Sequence, residues 1–444
     1  MKIATKEIAL RGKEIAREIF LQTLSAIDIS AALTRHLDRV GTTILCAGKR
    51  FDLGKFDRIA GFAFGKAAFP MAEAFTSILT PDFSPRGILV TPTHYPREIP
   101  GWRTIVARHP VPDANSFAAG RAILEALEEC DEKTLVVYLI SGGGSALVEH
   151  PLDSHLALAD FQQLHSVLVS CGASIEEINV IRKHLSATKG GRLAAAARRS
   201  IKLTLAVSDV PEGHESALAS GPTLPDPTTV SDAENIVRNY SVVEKLPPSL
   251  AEMFTQHRLR ETPKLGDPSF SNAYFELILR PHDLRHSAHH FCEAAGYVCI
   301  CDDSTDDWPV ENAAHHLLEA LRMTEKMNPR RRVAVVAVGE VSSPVTGDGL
   351  GGRNSAFVLS CVDKIAGKNI AVLSGGTDGI DGNCPAAGAV ADGQTMAHAQ
   401  SHGMEPADFF RRCDAYSFFS RLGDAIVTGP TGNNLRDLRI LLAG

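Results

Sequence analysis

Apolar and polar positions alternate between two regimes along this chain. Short runs of aliphatic and β-branched residues end abruptly in polar, glycine-rich loops, and a helical stretch often follows. This happens in "RIAGFAFGKAAFPMAEAF" around Lys66, in "TLVVYLISGGGSAL" at Ser141 and in "KLTLAVSDVPEG" at Ser208 and Asp209. It happens again in "RRVAVVAVGEVSS" at Gly339 and Glu340, and in "NIAVLSGGTDG" from Ser374 to Gly379. Runs that are apolar at every position suit strands buried on both faces, as in a parallel sheet covered by helices. Between them lie segments with helical spacing. In "HLALADFQQLHSVLVSCG" Leu158, Phe161, Leu164 and Leu168 share one face and Gly172 provides a stop. "SFAAGRAILEALEEC" is a second crossover helix, and Ile15, Ile19, Phe20 and Leu24 mark an amphipathic helix near the start.

The pattern predicts an α/β protein of two domains, each with an open, mostly parallel sheet covered by helices. Two proline-rich stretches, residues 220–229 and 245–272, carry little regular-structure signal and suggest a boundary. The expected domains are residues 1–245 and 246–444. Ligands of open α/β sheets bind beyond the carboxyl ends of the strands, and all five loops lie there. A site drawing on all five would occupy the cleft between the domains.

Composition narrows the function. The chain has 444 residues, 44% of them hydrophobic and 22% charged, with a formal net charge of −7. No long basic run is present, which argues against nucleic acid or an anionic membrane as the main partner. Every apolar run is shorter than a membrane span, and the first twenty residues lack the apolar core of a signal peptide. A cytoplasmic enzyme for small molecules is expected, and a homodimer is compatible with the sequence. The nine cysteines are scattered. Only Cys299 and Cys301 are close, in a spacing that no second pair answers, so a zinc site is not expected.

Several loops suit anions. Ser141, Gly142, Gly143, Gly144 and Ser145 follow a strand, where bare backbone can turn N–H groups toward phosphate and hydroxyls can add donors. A Walker A loop is excluded: "GFAFGKAA" is one residue short, and Ala67 stands where a hydroxyl would meet magnesium. Lys66 is still a candidate, because a lysine is disfavoured near a helix N-terminus unless something there uses it. "GDGLGG" has the dinucleotide spacing at Gly347, Gly349 and Gly352, but the strand ends several residues earlier. Arg353 and Asn354 open the next helix, where a guanidinium beside unpaired N–H groups favours carboxylate or phosphate. Arg182, Lys183, His184, Lys189 and Arg192 cluster around Gly190 as either a solvated basic face or a second cationic wall, and Gly221 lies in the following "SGPTLPDPTT". Asp209, Glu340, Asp378 and Asp381 supply carboxylates from three loops for magnesium or for a hydroxyl proton. This inventory fits phosphoryl transfer from a magnesium nucleotide to a small acid.

The ordered motifs "GKAA" (65–68), "RHPVPDAN" (108–115), "LISGGGSAL" (139–147) and "INVIRKHLSATKGGRLA" (178–194) carry a resemblance, as do "GGRNSAFVL" (351–359) and "LSGGTDGIDG" (373–382). With "FFSRLGDAIVTGPTGNNLRDLRI" (418–440) they resemble the glycerate 2-kinases, the class II glycerate kinases whose C-terminal part is called the MOFRL domain. The resemblance implies transfer of the γ-phosphoryl of ATP to the C2 hydroxyl of D-glycerate, giving 2-phosphoglycerate, with Mg2+. It implies active-site roles for Lys66 and Arg353. On this reading Lys66, Arg353 and Asp209 are catalytic, and residues 141–145 with Lys189, Gly190 and Gly221 hold the nucleotide. Lys66, Arg353, Asn354 and Asp378 meet the substrate, and Asp209 and Glu340 meet the metal. The chain departs from its relatives at "TPTHYP" (91–96) and around Arg280 to Asp283, which leaves room for a close hydroxy-acid analogue. The alternative is an NAD(P)H-dependent hydroxypyruvate reductase, resting on "GDGLGG" and on older names of relatives.

Overall fold

The computed structural model describes residues 2–211 and 213–444, with side chains from residue 12 onward. Two compact units emerge, Ile29–Leu279 and a second made of residues up to Asp28 together with Arg280–Gly444. The expected boundary at 245 therefore moves to 279. The proline-rich stretch does not end the first unit, because it leads into an edge strand of that unit's own sheet. The first helix, Lys2–Ala26, belongs with the C-terminal residues. Lys13 pairs with Asp424 at 2.6 Å, and the Asn433 amide donates to the Ile27 carbonyl at 2.7 Å.

The first unit opens with a small antiparallel ribbon, β1 (Asp38–Val40), β2 (Thr43–Cys46) and β3 (Lys49–Asp52). Its main sheet contains β4 (Arg58–Phe64), β5 (Arg86–Thr91), β6 (Trp102–Val106), β7 (Thr134–Ser141), β8 (Ile201–Val207) and β9 (Ala273–Leu279). The strand order is β6-β5-β4-β7-β8-β9, and every pairing is parallel. The chain starts in the middle, builds outward one way, then returns and builds outward the other way. The order reverses between β4 and β7, and such a reversal opens a crevice at the carboxyl ends of the two strands. Lys66 and Ser141–Ser145 lie at those two ends. β7 is buried at all eight positions, as its unbroken apolar run predicts.

The second unit contains β10 (Val298–Cys301), β11 (Val333–Gly339), β12 (Ile370–Gly376), β13 (Gly388–Asp392), β14 (Ala425–Ile426) and β15 (Asp437–Ala443). Their order is β10-β11-β15-β12-β13-β14. β10, β11, β12 and β14 share a direction, yet only the β10–β11 pairing is parallel, since β15 and β13 run against their neighbours. The sheet is mixed where a mostly parallel one is expected. Burial on both faces produces the same apolar run in either direction, so the sequence pattern does not distinguish the two.

The irregular segments of the first unit are tied down by buried charge. Lys183 Nζ meets Asp226 Oδ1 at 3.0 Å, with side chains 5% and 0% exposed. Asp226 also accepts from the hydroxyls of Thr228 and Thr262 at 2.9 Å each. One carboxylate thus holds the helix Ile175–Leu185 and both proline-rich stretches. Burial works to raise its pKa, but Lys183 and the surrounding donors bring it below the ordinary value. A depressed carboxylate stabilises the fold fully above its unfolded pKa, and loses that contribution as pH falls through the depressed folded value. Asp226→Ala should cost ~3–5 kcal/mol in urea unfolding, because Lys183 is left buried without its partner. The gap between wild type and Asp226→Asn should be full at neutral pH and narrow only below about pH 4.

Gly120, inside the helix Ala114–Glu128, sets two local effects against each other. Alanine is the better helix former by roughly 1 kcal/mol. A Cβ there would lie 2.3 Å from the Glu149 carbonyl oxygen. Overpacking against backbone costs ~1–3 kcal/mol, so Gly120→Ala should lower the unfolding midpoint. A raised midpoint would mean that the Glu149 segment moves aside freely.

Candidate active site

In the first unit the site is built from two strand exits locked together. β4 ends at Phe64, and Gly65 follows at φ +126°. A Cβ on Gly65 would lie 2.2 Å from Ser141 Oγ, so only glycine fits the turn. The Lys66 amide then donates to the Gly142 carbonyl at 2.9 Å, and the Ala67 amide to Ser141 Oγ at 2.9 Å. These bonds fix the start of the Lys66 side chain against the glycine loop. They also change the part assigned to Ser141 and Gly142. Both are buried, and Ser141 spends its oxygen within the protein.

The accessible part of the loop is Gly143 and Ser145, with Gly144 buried between them. Gly143 has φ +82°, and a Cβ there would stand 3.2 Å from His109 Cδ2 and 3.4 Å from Lys66 Cγ. Lys66, His109 and the Gly143 backbone therefore converge. His109 sits inside "RHPVPDAN", a motif that carries the family resemblance, but nothing in its spacing singles out the histidine. Asp209 lies two residues beyond Val207, which pairs with Ser141, so it stands at the same end of the sheet.

The Lys189 region is internal. Lys189 is 1% exposed, and its ammonium sits 2.8 Å from Glu149 Oε2 and 3.0 Å from the Val148 carbonyl. Burial pushes its pKa down while Glu149 pulls it up. Gly190 and Gly191 donate to the carbonyls of Ser220 and Gly221 at 3.0 and 2.7 Å. The Ser220 hydroxyl meets Ser145 Oγ at 2.7 Å and Asn179 Oδ1 at 3.0 Å. Lys189, Gly190 and Gly221 thus form a buried frame behind Ser145. Of the cationic wall expected here, Lys183 and Lys189 are spent on the carboxylates of Asp226 and Glu149, Arg192 on the carbonyls of Arg260 and Glu261, and Arg182 on the His165 ring.

In the second unit the reversed strand makes the site. Asp437 opens β15 directly between Gly339, the end of β11, and Gly376, the end of β12. Its carboxylate accepts from Arg353 Nε at 2.5 Å and Nη2 at 3.3 Å, and Glu340 accepts from Arg353 Nη1 at 2.7 Å. Burial works to lower the Arg353 pKa, but Asp437 and Glu340 raise it overall. Burial pushes the Glu340 carboxyl up, with Arg353 opposing. Beside them Arg436 grips Asp306 with two bonds of 2.7 and 2.8 Å, and Asp306 also accepts from the Glu340 amide at 2.8 Å. Asp378 belongs to the same end: a Cβ on Gly376 would lie 3.1 Å from Asp378 Oδ1 and 3.4 Å from Asp437 Oδ1.

The helix start at Arg353 is already filled. Asp381 accepts from the amides of Gly352, Asn354 and Ser355 at 3.2, 2.9 and 2.8 Å, and from the Ser355 hydroxyl at 2.6 Å. An internal carboxylate takes the place proposed for a ligand anion. Asn354 is buried, and its side-chain oxygen accepts from Ser374 Oγ at 2.6 Å, so its role is to join helix to sheet. The three glycines of "GDGLGG" that match the dinucleotide spacing are explained by close packing. Added Cβ atoms on Gly347 and Gly349 would lie 2.4 and 2.5 Å from Arg412 O and Asp414 Cβ, and one on Gly352 would lie 2.4 Å from Asp381 Oδ1.

Among the described residues no group of three or more His, Cys, Asp or Glu could hold a metal ion by itself. No described helix is long and apolar enough to cross a membrane.

Residues 15–255 match the model of a domain of unknown function, DUF4147, and residues 333–437 match the MOFRL family. The chain is similar to the D-glycerate 2-kinase of Thermotoga maritima, with 32% identity over 96% of this chain and 97% of the relative. A crystal structure of glycerate kinase from Thermotoga maritima superposes with a TM-score of 0.82, covering 97% of this chain and 99% of that one at 32% identity. A relative from Agrobacterium vitis, 37% identical over 86% of both chains, bears a provisional hydroxypyruvate reductase name. Matches of this length and identity place the chain in the glycerate 2-kinase family, with its DUF4147 region followed by a MOFRL region.

Proposed function

We propose that this protein transfers the γ-phosphoryl group of ATP to the C2 hydroxyl of D-glycerate, releasing ADP and 2-phosphoglycerate. The observation that carries the reading is the near full-length similarity to a D-glycerate 2-kinase, combined with Lys66 at the reversal point of the parallel sheet. The glycerate hydroxyl oxygen forms the new bond to phosphorus, the bond to the ADP oxygen breaks, and the hydroxyl proton goes to a carboxylate. Asp209 is the candidate acceptor in the first unit. Lys66 offsets charge on the transferring group, and the Gly143 amide and Ser145 hydroxyl donate to its oxygens.

In the second unit Arg353 holds Glu340 and Asp437 in one orientation. Its three bonds to them leave part of the guanidinium's donor fork unspent for a ligand carboxylate or phosphate. Magnesium binds through one or two carboxylates plus phosphate oxygens and waters. Glu340 and Asp437 fit that demand, since each retains lone pairs beyond those given to Arg353, and Asp378 stands beside them. When bound, the ion would neutralise phosphate charge.

The reductase alternative finds less support. The strand order of the first unit does suit dinucleotides, but the turn after β4 offers only Gly65 before Lys66, and β5 ends in Thr91 with no acidic residue to meet a ribose.

Purified protein with D-glycerate, ATP and Mg2+ should form ADP and 2-phosphoglycerate, and should not oxidise NADH when given hydroxypyruvate. The reverse result overturns the reading. Lys66→Ala should lower kcat by ~100-fold or more with an unchanged melting temperature. Near-normal turnover would remove Lys66 from the chemistry.

A further inference from the structure

Within the second unit lies a cavity of about 500 Å³ that the assignments above do not use. That volume is in the range of small-molecule sites. Its apolar wall is formed by Val310, Val345, Ala356 and Phe410, and its polar lining includes Ser343 and Thr346. The starts of two helices, Val310–Met327 and Arg353–Ile365, border it through Val310 and Gly352. Val345 is 83% exposed, a large aliphatic side chain at the rim with little protein around it. Arg411 is the cation on the lining, and it is paired with Asp408.

The position of this cavity narrows its ligand. Gly352 lines it and directly precedes Arg353, while Ser342 lines it two residues after Glu340. At ~3.8 Å per residue, the cavity wall reaches the backbone of the Arg353–Glu340–Asp437 cluster within about 4–8 Å. A three-carbon acid would leave most of this volume empty and would find no uncommitted cation on the wall. A flat heterocycle with a hydroxylated sugar suits the aliphatic and aromatic faces and the hydroxyls. An anionic tail leaving past Gly351 and Gly352 would arrive at the charged cluster.

We propose that this cavity binds the base and ribose of a purine nucleoside di- or triphosphate, with the phosphates directed toward Arg353 and the carboxylates it holds. The inference rests on the kinase reading and adds to it the place of the nucleoside. The glycine spacing of "GDGLGG" gains a role here. Gly347 and Gly349 pack against residues 412–414, and Gly351 and Gly352 pack against the Ser355 and Asp381 side chains, which keeps the cavity edge thin on the side facing the cluster.

Cys413 lines the cavity and provides a reporter. Its Sγ is 3.6 Å from the Thr346 hydroxyl, and hydrogen bonds from Thr346 and Gly347 hold its pKa below the ordinary thiol value. Cys301 is exposed on β10, outside the cavity lining, and serves as an internal control. The full-length protein would be treated with iodoacetamide, and modification of each cysteine followed by peptide mass spectrometry. ADP at ten times its Kd leaves about one site in eleven open, so alkylation of Cys413 should slow ~10-fold while Cys301 is unchanged. D-Glycerate alone should give no protection. Ala356→Phe, which fills the cavity, should raise the KM for ATP by ~10-fold or more and leave the KM for glycerate within about twofold.

The outcomes separate the two readings. Protection of Cys413 by D-glycerate instead of ADP would make the cavity an acceptor site and overturn the inference. Equal reactivity with and without ADP, in a protein that does phosphorylate glycerate from ATP, would overturn it while the kinase reading stands. Protection by ADP in a protein that never phosphorylates glycerate would uphold the nucleoside site and remove the proposed acceptor.

Discussion

The second unit depends on the placement of its last strand. β15 enters the sheet between β11 and β12, against the direction of both, and is buried along its whole length. Had β11 and β12 been direct neighbours, their carboxyl ends would bring together Glu340 and the 376–382 loop with no charge between them. The inserted strand delivers its first residue, Asp437, to that same end, because an antiparallel strand begins where its neighbours finish. Asp437 then takes Arg353, and Arg353 takes Glu340. Gly339 at φ +142° completes the arrangement, since a Cβ there would lie 2.9 Å from Asp306 Oδ1. A central strand normally carries few charges, yet this one also holds Arg439, which is fully buried above the Phe357 ring at 5.7 Å. Burial works to lower its pKa, with Asp437 and Asp306 opposing. None of its guanidinium nitrogens has a hydrogen-bond partner among the described residues, so those carboxylates act on it through charge alone.

The first unit solves a related problem with backbone. Its two central strand exits, after β4 and β7, stand side by side, and the sheet order brings them to the point where ligand crevices form. Gly65 lets the Lys66 turn approach Ser141 more closely than any side chain allows. The Ser141 hydroxyl and the Gly142 carbonyl then accept the two amides that follow. A serine and a glycine that look like anion donors in the sequence are thereby used to hold a lysine. The candidate ligand surface narrows to the Gly143 backbone and Ser145, with Lys66 and His109 converging on Gly143.

Much of this was legible in the sequence. All five strand–loop units are strands ending in the expected loops, and the helices around Leu164 and Ile123 form where apolar spacing places them. What stayed hidden has identifiable causes. The direction of β15 left no trace, because "DLRILLA" is buried on both faces whichever way it runs. The edge strand β9 follows a proline-rich stretch, so composition alone places the boundary before the unit ends. Lys189 looked like a surface cation because Glu149, its partner, is forty residues away in sequence. Asp381 looked like a metal ligand, and only the fold shows it capping the Arg353 helix. Arg436 and Asp437 lie inside "GNNLRDLRI", but charge at the start of an apolar run reads as a loop end unless the partner strands are known.

Charge balance connects these observations to the proposed chemistry. Around Asp437 stand the carboxylates of Glu340, Asp306 and Asp437 itself, and the guanidinium groups of Arg353, Arg436 and Arg439. These three charges of each sign offset one another, and Asp378 at the same strand ends adds a fourth carboxylate before any ligand arrives. A cluster of uncompensated arginines would attract any anion, including product, phosphate and competing acids. A balanced cluster does not. A bare polyphosphate brought to it would meet carboxylate oxygens, and the repulsion would be strong where water is scarce. A polyphosphate that carries a divalent cation would meet the same oxygens as ligands, while the donors that Arg353 has left would remain for phosphate or carboxylate oxygen. The pairing that holds the strand ends together is thus also a filter. Under the kinase activity proposed above, it would favour the metal-bound nucleotide over the free one through the arrangement of charges already required to keep β15 in the centre of the sheet.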